Sequence, residues 1–205
     1  SLDDYIGGNF NLVPDMPTLQ SVERCGSGMV SLQANSQAAV INWYDNAGLI
    51  GPPVNQGGQY DVNITETTSF WVTAANQTGC ESEAFEVQGI VIDVPDVDDI
   101  EDQTLCSDDG GYTLPAITGD NLSGSQAYWT NVGGTGTSYS AGQTINRSMT
   151  LYIYDETGTI PNCFDQEMFS ITILNTPDVL PMDSVSECDS YILPPISGDG
   201  NYFNG

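Results

Sequence analysis

A short cluster recurs along this chain at a fixed interval, and that periodicity limits the fold more than any other feature. Pro14-Asp15, Pro95-Asp96 and Pro177-Asp178 are each followed, eleven positions after the proline, by a cysteine: Cys25, Cys106 and Cys188. The prolines stand 81 and 82 positions apart. Self-similarity at a constant spacing marks a tandem array of one small domain. The second and third copies agree further, since Tyr112-Thr113-Leu114-Pro115-Ala116-Ile117-Thr118-Gly119-Asp120 is matched by Tyr191-Ile192-Leu193-Pro194-Pro195-Ile196-Ser197-Gly198-Asp199. The chain is therefore expected to hold two whole copies, residues 14–94 and 95–176. Residues 177–205 read as the opening of a truncated third, and residues 1–13 as the last strand of a preceding one, so the sequence reads as a window on a longer repetitive protein.

Within each copy the signals are those of short strands. Val30, Leu32 and Ala34 alternate with polar residues, Ile41 and Trp43 follow, then Phe70, Val72 and Ala74, and the copy closes on Phe85, Val87 and Ile90 to Val94. Alternation with period two places one face of each strand inward. The second copy repeats the plan with Tyr112 to Ile117, Ala127 to Trp129, Met149-Leu151-Ile153 and Phe169-Ile171-Ile173. Turn-forming clusters such as Asp45-Asn46-Ala47-Gly48 and Asn76-Gln77-Thr78-Gly79 separate them. No helical period is present. The expected fold is all-β: tandem immunoglobulin-like β-sandwich repeats of about 80 residues, with Trp43 and Trp129 resembling the core tryptophan of such sandwiches. The third copy is too short to bury its apolar face, so Tyr191, Leu193 and Ile196 are expected to be exposed, frayed or paired with another chain.

Five cysteines fall as two pairs and one remainder. Cys25 precedes Cys80 by 55 positions and Cys106 precedes Cys163 by 57, at matching places in the two copies. This spacing predicts one disulfide per repeat, Cys25–Cys80 and Cys106–Cys163, each tying the opening segment to the closing hairpin. Cys188 is then unpaired by truncation. Such bonds imply an oxidising compartment outside the cytoplasm. Zinc is a poor competitor for these cysteines, because neither a C-x2-C spacing nor a histidine is present.

The chain carries 28 acidic residues against two arginines, without lysine or histidine, for a formal net charge of −26. A nucleic-acid partner or an anionic membrane surface needs a basic patch, and this chain has no material for one. No run approaches a membrane-spanning length of apolar residues, and Ser1 does not open a signal peptide. The same composition removes the Ser-His triad, the Cys-His pair and the lysine nucleophile. Paired carboxylates such as Glu81, Glu83 and Glu86 remain, but on a hairpin of a small sandwich, so no enzyme is expected. No cofactor is expected either, with one exception to be tested. Asp93, Asp96, Asp98, Asp99 and Asp102, with Glu101, crowd the boundary between copies and could bind Ca2+ through their oxygens. The alternative is a solvated acidic linker, favoured by the lack of a D-x-D-x-D-G loop.

The run Cys106 to Asp120, then Leu122-Ser123-Gly124, Ala127-Tyr128-Trp129, Gly133-Gly134-Thr135-Gly136-Thr137, Tyr139 to Ile145 and Leu151 to Gly158, resembles the repeats of giant surface adhesins of gliding Bacteroidetes, of the SprB type. The first copy, with Arg24-Cys25-Gly26-Ser27-Gly28, Asn42-Trp43-Tyr44-Asp45 and Thr78-Gly79-Cys80, is similar to immunoglobulin-like modules of secreted proteins of that phylum. The resemblance implies type IX secretion, display on the outer surface of a bacterial cell, and a role in cell adhesion and gliding motility as the stalk region of the adhesin. The partners it implies are an external surface or polysaccharide, neighbouring repeats, and the gliding and type IX outer-membrane machinery. Two other readings stand beside it. One is a carbohydrate-binding module with an exposed aromatic row such as Tyr152, Tyr154 and Trp71; the other is a linker array on a secreted hydrolase.

Overall fold

The computed structural model describes residues 13–38, 40–178, 183–196 and 200–203. Among them there is no α-helix, and one three-residue 3-10 turn at Ser107–Asp109. Two compact units emerge, Ser1–Asp96 with Glu156–Asp165, and Val97–Asp155 with Gln166–Gly205. The expected last strand of a preceding copy falls on residues 1–13 and lies almost wholly outside the described residues.

The first unit is built from β1 (Thr18–Leu19), β2 (Val22–Cys25), β3 (Gly28–Asn35), β4 (Val40–Tyr44), β5 (Asn55–Gln56), β6 (Gln59–Ile64), β7 (Thr68–Ala75) and β8 (Phe85–Ile92). They form a three-stranded sheet in the order β1-β3-β6 and a five-stranded sheet in the order β2-β8-β7-β4-β5. Pairing is antiparallel except at one edge, where β2 runs parallel to β8 with Cys25 opposite Ile92. Alternation does what the sequence predicts. Val30, Leu32 and Ala34 of β3 are buried while Met29, on the outward phase of the same strand, is 68% exposed. Together with Ile41, Trp43, Ile64, Phe70, Val72 and Val87 they make one apolar core. Trp43 is its centre: fully buried, it donates its indole N–H to the Gly57 carbonyl at 2.8 Å and stacks obliquely on Tyr60. That hydrogen bond removes the cost of burying the indole nitrogen.

The second unit draws on β9 (Asp96–Val97), β10 (Gln103–Cys106), β11 (Tyr112–Thr113), β12 (Gly119–Asp120), β13 (Ala127–Asn131), β14 (Thr135–Tyr139), β15 (Thr144–Ile145), β16 (Met149–Glu156) and β17 (Phe164–Leu174). Its five-stranded sheet, β10-β17-β16-β13-β14, repeats the arrangement of the first, including a parallel edge strand: β10 lies along β17 with Cys106 opposite Leu174. The short pairs β11–β15 and β12–β9 complete it. Val97, Leu114, Tyr128, Ile145, Leu151, Ile153, Phe169 and Ile171 form the core.

Two expectations change here. The strand predicted over Tyr112 to Ile117 shrinks to two residues, because Leu114 spends its backbone groups on Gln143 and Gly142 and Pro115 has no N–H for a ladder. The core position expected for Trp129 belongs to Tyr128, which is fully buried and donates its hydroxyl to the Pro115 carbonyl at 3.0 Å. Register explains the exchange. Tyr128 stands opposite buried Ile153, so its neighbour Trp129, opposite Tyr152, must point to the other face.

Residues 183–196 and 200–203 form no strand; Tyr191 and Leu193 are exposed, as expected, whereas Ile196 is half-buried.

Candidate functional site

The cysteines depart most from expectation. One disulfide is present, Cys25–Cys163, with the two Cα atoms 5.5 Å apart, while Cys80, Cys106 and Cys188 are free thiols. Both bonded residues belong to the first unit, because the hairpin segment Glu156–Asp165 is grouped with it. The expected pairs Cys25–Cys80 and Cys106–Cys163 are absent, and the parallel edge strands give the reason. Cys25 sits opposite Ile92, the last residue of β8, whereas Cys80 lies ahead of Phe85, where β8 begins. Seven residues of extended strand separate those ends by about 23 Å, and a disulfide tolerates Cα atoms no more than about 7 Å apart. The second copy obeys the same geometry. Cys106 is opposite Leu174, the end of β17, and Cys163 immediately precedes Phe164, its start.

The acidic boundary run lies at the surface. Asp93, Asp96, Asp98, Asp99 and Asp102 are all exposed. Asp102 directs one carboxylate oxygen to the Ser170 backbone N–H at 2.7 Å, a structural bond across strand ends. Among the described residues no group of three or more carboxylate, cysteine or histidine side chains is placed to hold a metal ion.

Two carboxylates are drawn inward: Glu81, which the sequence placed on a hairpin with Glu83 and Glu86, and Asp155, which sequence reasoning missed. Glu81 accepts hydrogen bonds from Asn42 Nδ2 at 2.9 Å, Tyr44 Oη at 3.0 Å and Thr73 Oγ1 at 2.6 Å. Gln56 Nε2 supports Asn42 from behind, donating to its Oδ1 at 2.8 Å. Burial, then the hydrogen bond and charge of Glu81, raise the Tyr44 hydroxyl above its ordinary pKa. In the second unit Asp155 is fully buried and accepts from the Ser123 N–H at 2.7 Å and from the Ser123 hydroxyl. Each carboxylate is satisfied by neutral donors on neighbouring elements. Such an arrangement fixes the loop or hairpin it ties to the sheet, and it supplies neither a paired acid and base nor a nucleophile. A signal existed in the sequence: Glu81 directly follows Cys80 at the foot of a turn, and Asp155 ends an alternating strand on its inward phase.

The aromatic row proposed for sugar stacking divides. Trp71 belongs to the first unit, in β7, opposite Tyr44. Tyr152 and Tyr154 lie on the outward face of β16, partly exposed, and Trp129 joins them from β13 opposite Tyr152.

Comparison with known proteins bears on this architecture. Residues 14–92 match the family described as Ig-like domain, CHU_C associated. The fold is immunoglobulin-like. The match opens on Pro14, where the sequence period also begins. Among solved structures, the chain is similar to the fibronectin(III)-like modules of CbhA from Clostridium thermocellum, at 14% identity over 38% of this chain and 95% of that one, with a TM-score of 0.30. It is also similar to DIP-gamma IG1+IG2, at 11% identity over 78% of this chain and 98% of that one, with a TM-score of 0.37. The titin domains Z1Z2 match at 11% identity over 80% of this chain and all of that one, with a TM-score of 0.30. No curated protein matches the chain. Among the described residues no helix is long and apolar enough to cross a membrane.

Proposed function

We propose that this chain is part of the stalk of a large adhesin displayed outside a bacterial cell, and that it serves attachment and gliding motility. The observation that carries the reading is the repetition of one topology. An immunoglobulin-like sheet with a parallel edge strand, β2-β8-β7-β4-β5, recurs as β10-β17-β16-β13-β14, and the first copy matches an immunoglobulin-like family from its opening proline. Small sandwiches in line extend a chain, and many weak contacts along such an array add up by avidity. The charge of −26 opposes collapse and self-association of neighbouring copies. Extracellular placement is supported by a disulfide, which persists where the surroundings oxidise thiols, and the sequence resemblance supports type IX export. The partners proposed are an external surface or polysaccharide and neighbouring repeats.

A second reading keeps one specific observation in its favour. Trp129, Tyr152 and Tyr154 share an outward face of the second unit, as a carbohydrate-binding module would require. Attachment assays separate the two. Cells whose protein lacks residues 14–176 in frame are expected to retain growth and lose adhesion to glass and gliding speed. Unchanged adhesion and gliding, with saturable polysaccharide binding by the purified chain that Trp129→Ala abolishes, would replace the stalk by the binding module.

A further inference from the structure

The cysteine that stands eleven positions after Pro14 is bonded to a cysteine of the next sequence copy, Cys163, which stands ahead of the last strand of residues 95–176. Cys106 holds in the second copy the place of Cys25, at the end of a parallel edge strand, opposite the last residue of the closing strand. Cys80 holds in the first copy the place of Cys163, at the turn before that strand. Both are free thiols, Cys106 is exposed and Cys80 partly so. Neither can be satisfied within its own copy, because the length of β8 or of β17 lies between the two places. We infer that Cys106 and Cys80 are half-bridges: in the array, the first cysteine of each copy bonds the second cysteine of the copy that follows it. Cys106 then takes the second cysteine of a copy placed after residue 176, and Cys80 the first cysteine of a copy placed before residue 14.

Each bond forms by thiol–disulfide exchange. Two thiols of the chain lose two protons and two electrons, and a protein or small-molecule disulfide of the oxidising compartment is reduced to two thiols. The consequence is an array of overlapping closed loops. The Cys25–Cys163 bond spans 138 positions, and a bond from Cys106 to a following copy would begin inside that loop. Every sandwich of the interior would then lie within a covalent loop, so unfolding one under tension could not lengthen the array by its full contour.

The inference rests on the tandem organisation proposed above, and its test reads bond connectivity, which is independent of whether the protein adheres to anything. The full chain, and the full chain with a second copy of residues 95–176 inserted between Thr176 and Pro177, are exported into an oxidising compartment, alkylated without reduction and mapped by mass spectrometry. In the unaltered chain, Cys25 is expected in a peptide linked to Cys163, with label on Cys80, Cys106 and Cys188. In the lengthened chain, whose inserted copy carries Thr104→Ser and Phe164→Tyr so that its two cysteine peptides differ in mass from the native ones, native Cys106 is expected to lose its label and to appear linked to the marked counterpart of Cys163. Label remaining on Cys106, or a Cys106–Cys163 or Cys25–Cys80 peptide in either chain, would overturn the inference. Far-ultraviolet and thermal-melting comparison of the two chains reports separately whether the inserted copy folds, and an inserted copy that stays unfolded counts against the tandem reading itself.

Discussion

Trp43 and Trp129 hold matching places in the two sequence copies and point to opposite faces of their sheets. The contrast gives a direct expectation. Trp43 is fully buried with its N–H bonded to Gly57, so Trp43→Ala should destabilise the first unit by about 3–5 kcal/mol in urea unfolding. Trp129 is partly exposed, and Trp129→Ala should cost about 1 kcal/mol or less; equal losses would contradict the assigned register. Tyr128, which takes the core place, has its hydroxyl pushed up to about 12 by burial and then by the neighbouring Tyr112. Its folded pKa lies above the unfolded value near 10. The stabilisation is therefore complete below about pH 10, where the ring is neutral in both states, and is lost as the pH rises towards 12. Tyr44 and Tyr60 are raised too, chiefly by burial. A spectrophotometric titration should show these three tyrosinates appearing late and together with alkaline unfolding, and the Tyr128→Phe chain should lose one late tyrosinate. Ordinary titration of all ten tyrosines before any unfolding would contradict it.

Among elements, the long alternating strands were legible because each exposes one face and buries the other. Val30-Leu32-Ala34, Phe70-Val72-Ala74 and Leu151-Ile153 name their inward face without any tertiary knowledge. The parallel edge strands were not legible. Val22–Cys25 and Gln103–Cys106 are four residues each, too short to show a period, and the direction of pairing is a tertiary fact. Missing that direction is also why the disulfides were misassigned: matching spacing of Cys25–Cys80 and Cys106–Cys163 is equally consistent with cysteines at opposite ends of a strand. Trp129 failed for a related reason, since adjacent aromatics such as Tyr128-Trp129 leave the phase of a short strand undecided. Turn chemistry is sharper. Gly111 sits at φ +93°, and a Cβ there would lie 2.5 Å from the Ile145 carbonyl oxygen, across the β11–β15 pair. Gly111→Ala should therefore lower stability by more than about 2 kcal/mol, whereas Gly142→Ala, at φ +85° but in open space, should carry the backbone strain alone. Equal melting temperatures for the two variants would contradict the close approach at Gly111.

At the scale of the molecule, two expectations follow from charge and connectivity. Among the described residues no group of three or more carboxylate or cysteine side chains is placed to hold a metal ion, so Ca2+ and a chelator should give the same melting temperature; a rise of several degrees with calcium would assign a site to the exposed aspartates 93, 96, 98, 99 and 102. Pulled by its two ends, the oxidised chain should stop short of its reduced length by the loop between Cys25 and Cys163, 138 positions or about 450–500 Å when fully extended. Equal lengths before and after reduction would exclude a disulfide within the chain, and a smaller gain on reduction would place the bond between other cysteines.

The proposal that these sandwiches form the stalk of a surface adhesin is tested most directly on the cells that make the protein, with an antibody raised against residues 95–176. Labelling of intact cells, with an immunoblot band from a polypeptide many times longer than these 205 residues, is the predicted result. A short protein recovered from the medium, with unlabelled cells, would contradict the stalk and assign the repeats to an accessory role on a secreted protein.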